Sequence, residues 1–195
     1  MSEGSKDMVK EQIIKAASII FGKYGYKKTT MDDIGQATGK GKTAIYYYFK
    51  NKEDVFKAVV EKEASELEQA LVSVTTTSET AEEKLKAYFQ IRMQVMLNLS
   101  NFYNAMKSEL LDHLSFINKI RKDVDDKELQ IVKSILKEGI KQKQFAIKDF
   151  DMTALMLVTV LKGLEIPLFV EDKVKDLSQY MELMIRIICF GIVKR

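Results

Sequence analysis

Few residues of this 195-residue chain could do chemistry at a catalytic or metal site. One histidine, His113, and one cysteine, Cys189, make neither a zinc-binding cluster nor a Cys–His dyad, and a lone cysteine cannot form an internal disulfide. The sequence contains no Gly-rich phosphate loop and no Glu-x-x-His motif. We therefore expect no metal, no cofactor and no enzymatic activity, and we expect Cys189 to pack in the core or at a dimer face.

Lysines and tyrosines are instead concentrated in one block near the N-terminus. Residues 23–52 contain seven lysines against Asp32 and Asp33, together with five tyrosines, whereas residues 55–195 are balanced, with 21 basic and 21 acidic residues. Such a block suits DNA phosphates, because lysine supplies charge for counterion release and tyrosine hydroxyls supply donors that fix position. By charge alone, a solvated lysine-rich surface would look the same.

Two short helices are predicted within this block. Thr30, followed three residues later by Asp33, has the pattern of a capping box and predicts a two-turn helix over Met31–Thr38 that ends before Gly39. A second short helix is predicted over Lys42–Phe49. Two short helices joined by a tight glycine turn are typical of a helix-turn-helix, whose second helix can enter the DNA major groove.

The rest of the chain also has helical periodicity, and the whole sequence contains only nine glycines and one proline that could interrupt helices. The other predicted helices are Val9–Gly25, Asn51 to about Leu71–Val74, Leu85 through the apolar stretch Ile91–Leu99, Asn101 to about Leu114, Phe116 to about Lys143, Met152 to about Leu164 with Asp151 as its cap, and Lys175 to Val193. The predicted fold is all-α with about nine helices: a helix-turn-helix domain over residues 1–54 and a helical bundle over residues 55–195.

Neither a membrane span nor a secretion signal is predicted. The chain has no run of 18 apolar residues, and its first twelve residues contain no apolar segment. We therefore expect a cytoplasmic protein.

Between Ile13 and Val60 the sequence carries a longer pattern. Its residues are Ala17, Phe21, Gly25-Tyr26, Thr29-Thr30, Asp32-Asp33-Ile34, Ala37, Gly39, Thr43-Ala44-Ile45-Tyr46, Phe49 and Lys52-Glu53-Asp54. This pattern, which covers about a quarter of the chain, resembles the DNA-binding domain of TetR-family transcriptional repressors. The resemblance implies that the remaining three-quarters of the chain bind a small molecule and dimerise.

Two residues depart from the family pattern. Lys40 stands where the family usually has a small apolar residue, and Gly41 stands where it usually has a capping serine. Glycine caps a helix more weakly than serine. Lys40 either adds a phosphate or base contact or simply extends its side chain from the turn into solvent.

Roles in DNA binding can be assigned from residue chemistry and from the resemblance. Phosphate contacts are expected from Thr30 at a helix N-terminus, from Lys52 as a point charge, from Tyr46 as the resemblance implies, and from Tyr48, which stands where the family often has a histidine. Base contacts are expected from Lys40, Lys42, Thr43, Ala44 and Tyr47. Phe21, Ile34, Ile45 and Phe49 are expected in the core.

The C-terminal region offers candidates for a deformable apolar pocket, namely Phe89, Met93, Met96, Phe102, Tyr103, Met106, Met152 and Met156. The same residues could equally form a closed core. The apolar helices near residues 152–164 and 175–193 are expected to dimerise as a four-helix interface.

Taken together, these patterns predict a DNA-binding transcriptional regulator. We expect a homodimer on a pseudo-palindromic operator, acting as a repressor that a small apolar ligand releases. An alternative is a helix-turn-helix regulator without a small-molecule ligand, controlled by a protein partner. The sequence leaves open the effector, the operator, the regulated genes and the choice between repression and activation.

Overall fold

The computed structural model describes residues 3–76, 80–98, 115–165 and 177–192, and their regular elements are eight α-helices. The helices are α1 Glu3–Lys28, α2 Met31–Ala37, α3 Lys42–Tyr48, α4 Lys52–Thr75, α5 Ala81–Asn98, α6 Ser115–Lys141, α7 Phe150–Glu165 and α8 Leu177–Ile192. The predicted all-α fold class is confirmed. The predicted helix over residues 101–114, with His113, lies outside the described residues.

The chain divides into two compact units. The N-terminal unit comprises residues 3–64 with 115–120, and the C-terminal unit comprises residues 65–76, 80–98, 121–165 and 177–192. Helices α4 and α6 contribute residues to both units. Among the described residues, no helix combines the length and the apolarity needed to cross a bilayer.

The N-terminal unit is built on the apolar face of α1. Phe21 on this face is almost fully buried, and its ring lies edge-on to the ring of Phe56 on α4, with the two centroids 5.0 Å apart. The regular part of α1 ends at Gly25, whose φ of 79° is a left-handed conformation that favours glycine, as predicted. The predicted start at Val9 is wrong, since α1 begins at Glu3, about two turns earlier.

In the C-terminal unit, α6 runs antiparallel to α5. The polar bonds between them join Lys84 Nζ to Glu138 Oε2 (2.8 Å), Tyr88 Oη to Glu128 Oε1 (2.6 Å) and Arg92 Nε to Glu128 Oε1 (2.7 Å). Early residues of α5 therefore meet late residues of α6. Beyond α6, the side chains of Gln142 and Gln144 accept hydrogen bonds from the backbone N–H groups of Ala81 and Glu82, which satisfies donors at the start of α5.

The end of α6 is closed by an aromatic side chain. Phe145 is buried, and its ring lies over Gly139 so closely that a Cβ at residue 139 would come within 2.1 Å of the ring. The backbone carbonyl of Gly139 also accepts hydrogen bonds from the N–H groups of Gln144 (2.9 Å) and Phe145 (3.2 Å). Only glycine fits at this point of the helix.

Helix α7 packs antiparallel to α6 and starts earlier than predicted. Its cap is Asp149, whose Oδ1 accepts a hydrogen bond from the N–H of Met152 (2.9 Å), so the predicted cap at Asp151 is wrong. Asp151 lies in the first turn instead and forms an ion pair with Lys133 on α6 (2.6 Å). Helix α8 contacts α5. The side chain of Cys189 on α8 and the residue Pro167 lie outside the described part of the structure.

Candidate nucleic-acid interface

Helix α2 begins with the predicted capping box. The Thr30 hydroxyl accepts a hydrogen bond from the Asp33 N–H (3.2 Å), and Asp33 Oδ2 accepts hydrogen bonds from the Thr30 N–H (2.8 Å) and the Thr30 hydroxyl (2.7 Å). The hydrogen bonds from Thr30 hold the pKa of Asp33 below its usual value, and the bond from the Thr30 side chain has a larger effect than the bond from its backbone. The reciprocal bonds fix where α2 begins and leave Thr30 exposed at that end.

The turn between α2 and α3 depends on two glycines. Gly39 adopts φ 63°, and the N–H of Lys40 donates to the carbonyl of Gly35 (3.0 Å) to close the turn. Gly35 is buried, and a Cβ there would lie 3.0 Å from the carbonyl oxygen of Lys40 and 3.4 Å from the N of Lys42. Because no side chain separates them, the backbone of α2 approaches the start of α3 closely.

Helix α3 presents the expected base-reading residues outward. Lys42 and Thr43 are exposed, Ala44 and the turn residue Lys40 are half-buried, and Tyr47 is 66 % exposed. The N-cap is Gly41, which provides no side-chain hydrogen bond, in line with its weaker capping. The other face of the helix holds Ile45, which is fully buried. Ile34 on α2 is also fully buried, and Phe49 is nearly so, which confirms the predicted place of all three in the core.

Lys42 is already engaged in the structure. Its Nζ lies 2.9 Å from Asp32 Oδ2, and this hydrogen bond and ion pair raise the pKa of Lys42. Both side chains are about half exposed. An ion pair so open to solvent is weak, so Lys42 can leave Asp32 for a base or a phosphate at little cost.

The residues expected at phosphates flank α3. Tyr46 is 46 % exposed, and Tyr48 is half-buried with its ring edge-on to Tyr47, the centroids being 4.9 Å apart. Lys52 donates from Nζ to the carbonyl of Tyr26 (2.8 Å) and lies 4.4 Å from the centroid of the Tyr26 ring. Burial lowers the pKa of Lys52. Since an ammonium group has three N–H donors, this bond leaves donors available for a phosphate.

The sequence analysis missed two lysines beside α3. Lys6 Nζ lies 5.8 Å from the centroid of the Tyr47 ring, and Lys10 Nζ lies 5.9 Å from the centroid of the Phe49 ring. Both belong to the first turns of α1; Lys10 lies just inside the predicted helix Val9–Gly25, whereas Lys6 was predicted to lie outside any helix. The two lysines are four residues apart, which is helical spacing. This spacing was the available signal that the helix starts before Val9.

This arrangement is found in known proteins. Residues 13–59 match the family described as bacterial regulatory proteins, tetR family. The uncharacterized HTH-type transcriptional regulator YhgD of Bacillus subtilis (strain 168) is 28 % identical over 153 residues, which cover 76 % of this chain and 78 % of YhgD. Residues 13–59 therefore form a DNA-binding domain of the tetR family.

Solved structures extend the likeness to the whole chain. A transcriptional regulator from Cytophaga hutchinsonii ATCC 33406 has a TM-score of 0.78 and 28 % identity, with 94 % of this chain and 98 % of that chain covered. FadR from Bacillus subtilis, solved in complex with stearoyl-CoA, shares the fold with a TM-score of 0.71 at 22 % identity, with 91 % of this chain and 96 % of that chain covered. The protein, with its tetR-family domain over residues 13–59, is a DNA-binding transcriptional regulator.

The predicted pocket residues of this regulator are only partly brought together. Phe89 and Met93 are both buried on α5, one turn apart. Met152 and Met156 are 63 % and 52 % exposed on α7, so they are not buried as Phe89 and Met93 are. The helical period places Ala154, Leu157, Val158 and Leu161 on the buried face of α7 and both methionines on the opposite one. The side chain of Met96 and the residues Phe102, Tyr103 and Met106 lie outside the described structure.

A polar cluster in the C-terminal unit was not predicted. Arg92 and Glu128 are only 2 % and 1 % exposed, and Glu128 Oε1 accepts hydrogen bonds from both Arg92 Nε and the Tyr88 hydroxyl. Among the described residues, Glu128 Oε2 has no hydrogen-bond partner. The signal in the sequence was a charged residue within an apolar stripe on each of two helices. The described residues contain no group of three or more His, Cys, Asp or Glu that could hold a metal ion.

Proposed function

We propose that this regulator is a homodimeric repressor that binds a pseudo-palindromic operator and releases it when a small, mainly apolar molecule binds in the C-terminal region. The observation that carries the proposal is the outward face of α3, held at a fixed angle by the close contact at Gly35 and by the buried Ile45. A two-turn helix reads few base pairs, so specificity requires two copies related by a twofold axis. A protein in this role acts in the cytoplasm, together with the DNA that it binds.

In this proposal, contacts to phosphates and contacts to bases come from different sides of α3. Thr30, Tyr46, Tyr48 and Lys52 contact phosphates and set the register on the duplex. Lys40, Lys42, Thr43, Ala44 and Tyr47 face base edges, where a lysine donates to guanine acceptors and the methyl groups of threonine and alanine meet the thymine methyl. The helix-turn-helix domain corresponds to residues 1–54 and the effector and dimer domain to residues 55–195.

Dimerisation is supported by two exposed apolar stripes. On α7 the stripe consists of Met152, Leu155, Met156 and Val160, and on α8 it consists of Tyr180, Leu183 and Ile187. Each stripe follows helical spacing, and exposed apolar surface arranged in this way marks an interface. Two helices from each protomer would bury these stripes in a four-helix interface, which gives Met152 and Met156 a role at the dimer contact.

The effector site is supported by the interior of the C-terminal unit. Phe89 and Met93 supply apolar surface on α5, and the next residues along that helix face, Tyr88 and Arg92, hold the carboxylate of Glu128. Buried polar atoms are nearly always satisfied by protein, by water or by a ligand. An amphipathic effector whose polar group donates a hydrogen bond to Glu128 Oε2 fits this surface. FadR, which shares the fold, was solved with the amphipathic stearoyl-CoA.

The DNA-binding part of the proposal is tested by selection from a random duplex pool, carried out with purified protein at low and at high salt. We expect enrichment of a palindromic motif whose affinity falls as salt rises. Enrichment of single half-sites without symmetry would contradict the dimer. Failure to enrich any motif would contradict operator recognition.

The effector part is tested on the selected operator by fluorescence anisotropy with added stearoyl-CoA, with coenzyme A as the control that lacks the apolar chain. We expect stearoyl-CoA to raise the operator Kd by about tenfold or more, since typical allosteric couplings are of this size, and coenzyme A to leave it unchanged. For release to occur, the effector must bind more tightly to the form that does not bind DNA. A broad panel of apolar molecules without effect on the operator Kd would contradict the effector and favour control by a protein partner.

A further inference from the structure

The first turns of α1 lie outside the segment that matches the family. The match begins at Ile13, whereas α1 begins at Glu3, so ten residues of helix precede the matched domain. This extension carries Lys6 and Lys10, both exposed and four residues apart, so that their side chains leave the same side of the helix. The extension also contains Glu3, Asp7 and Glu11, so it adds no net positive charge, but it places two ammonium groups on one side of the helix, outside the matched segment.

The structure places these lysines against the end of α3. Lys6 Nζ lies 5.8 Å from the centroid of the Tyr47 ring, a cation–π distance, and Lys10 Nζ stands in the same relation to Phe49 at 5.9 Å. A hydrogen bond with Tyr47, followed by the charge interaction with the same side chain, raises the pKa of Lys6. Lys6 thus stays protonated beside the aromatic residue that is the most exposed one on α3.

Tyr47 needs an external contact to hold one orientation. Its ring is 66 % exposed, and its contact with a neighbouring ring is the edge-on one with Tyr48. A tyrosine in this setting can rotate about its first side-chain torsion, and a base contact made by a rotating ring carries little sequence information. The ammonium group of Lys6 beside the ring restricts that rotation, and because it has three N–H donors, those not used on Tyr47 can meet an anion.

We infer that Lys6 is a specificity-determining residue of the DNA interface: it orients the Tyr47 ring for base contact, and its ammonium group contacts a backbone phosphate next to the base pair that Tyr47 reads. The inference rests on the proposed operator binding by α3. It assigns to the N-terminal extension of α1 a part of the recognition surface that residues 13–59 alone do not supply. The anion it recognises is a DNA phosphate.

Lys15 offers a matched control on the same helix. It is also exposed, and it lies nine residues from Lys6, which is two and a half turns and therefore the opposite side of α1. Lys6→Gln and Lys15→Gln remove the same charge from the same helix, but only the first removes the contact with Tyr47. Lys6→Arg keeps both the charge and the ability to stack on an aromatic ring.

The test uses full-length protein and the operator selected by the wild type, with Kd measured over a range of salt concentrations. We expect Lys6→Gln to raise Kd about threefold to tenfold at 0.1 M salt and to lower the slope of log K against log salt by about 2, one phosphate for each protomer of the dimer. Lys6→Arg should restore the wild-type slope, and Lys15→Gln should retain it.

A repeated duplex selection separates orientation of the ring from loss of charge. With Lys6→Gln, we expect the preference at one symmetric pair of operator positions to weaken, and Tyr47→Ala should weaken the same positions. The double variant should be no worse than Tyr47→Ala alone at those positions, because the two residues act together. Equal slopes and equal selection profiles for Lys6→Gln and Lys15→Gln would overturn this inference and leave the proposed function intact. A wild-type protein that selects no motif would overturn the proposed function and this inference with it.

Discussion

The helix-turn-helix region, residues Thr30–Asp54, and the interior of the C-terminal unit are held by polar bonds that span different numbers of residues along the chain. In the helix-turn-helix region, the hydrogen bonds that define helix starts join residues three apart. They connect Thr30 with Asp33, and the N–H of Asp54 with Asn51 Oδ1 (2.8 Å). In the C-terminal unit, the corresponding buried bonds join α5 to α6 across 36 to 54 residues, as between Arg92 and Glu128. The first kind forms from a short piece of chain, and the second forms only when two long helices have packed.

The difference shows how one chain can keep a fixed DNA-reading element while its other unit varies. A local motif needs only its own few residues, so it is insensitive to changes elsewhere in the sequence. A buried long-range ion pair depends on the packing of both helices, and that packing is where an effector can act.

The largest effect is expected from Glu128→Ala. Removing the carboxylate breaks the ion pair with the buried Arg92, and breaking a buried ion pair from one side costs about 3–5 kcal/mol of unfolding free energy. Urea denaturation followed by circular dichroism measures the loss. The exposed pair of Lys127 with Glu68 in the same unit provides the control, since Glu68→Ala should cost less than about 1 kcal/mol. Equal losses for the two variants would contradict the special status of the buried pair.

A smaller loss is expected from Gly139→Ala. The new Cβ would lie within 2.1 Å of the Phe145 ring, which is itself buried, and overpacking of this kind costs about 1–3 kcal/mol. Gly163→Ala on α7 is the control, because nothing lies within 4 Å of its Cβ and alanine is the better helix former by about 1 kcal/mol. The two variants should shift the melting temperature in opposite directions. A gain in stability for both would mean that Phe145 moves aside freely.

In the helix-turn-helix region, we expect Gly35→Ala to reduce operator affinity more than it reduces stability. Its Cβ would lie 3.0 Å from the carbonyl oxygen of Lys40, so α3 must shift by a few tenths of an ångström, and misplaced base contacts cost about tenfold in Kd. Unfolding free energy should fall by about 1 kcal/mol. Gln36→Ala, at the exposed neighbouring position, should leave the operator Kd unchanged. An unaltered Kd for Gly35→Ala would show that the angle of α3 tolerates the added methyl group.

The smallest effect is a pH dependence from Asp33. Its pKa is lowered by the bonds from Thr30, so the folded state favours the charged carboxylate, and the stabilisation is present above the ordinary value of 3.8 and is lost as the pH falls through the lower folded value. Asp33→Asn should therefore flatten the decrease in melting temperature below about pH 4.

The C-terminal unit contains one local box of the same kind, which makes this last prediction a test of the contrast. The N–H and hydroxyl of Thr80 donate to Glu83 Oε2, each at 2.8 Å, and these bonds lower the pKa of Glu83. Glu83→Gln should flatten the acid limb as Asp33→Asn does. If only one of the two variants changed the acid limb, local capping boxes would not act alike in the two units.

The success of sequence-based prediction follows the same division. The capping box at Thr30 and the helix ends at Gly25 and Gly39 were predicted, because each depends on residue types a few positions apart. The cap of α7 was misplaced by two residues. Asp149 and Asp151 are chemically equivalent in the sequence, and only the path of the backbone decides which carboxylate caps the helix.

The residues alone predict that this chain is helical, where its short helices begin, and that a basic helix-turn-helix precedes a long apolar region. These features depend on periodicity, charge and local hydrogen bonds. The packing of the helices, in contrast, turns Met152 and Met156 outward, brings Arg92 and Glu128 together in the interior, and places Lys6 beside Tyr47. Each of these depends on which faces of distant helices come together, and an apolar or charged side chain has the same appearance in the sequence whichever way its helix turns.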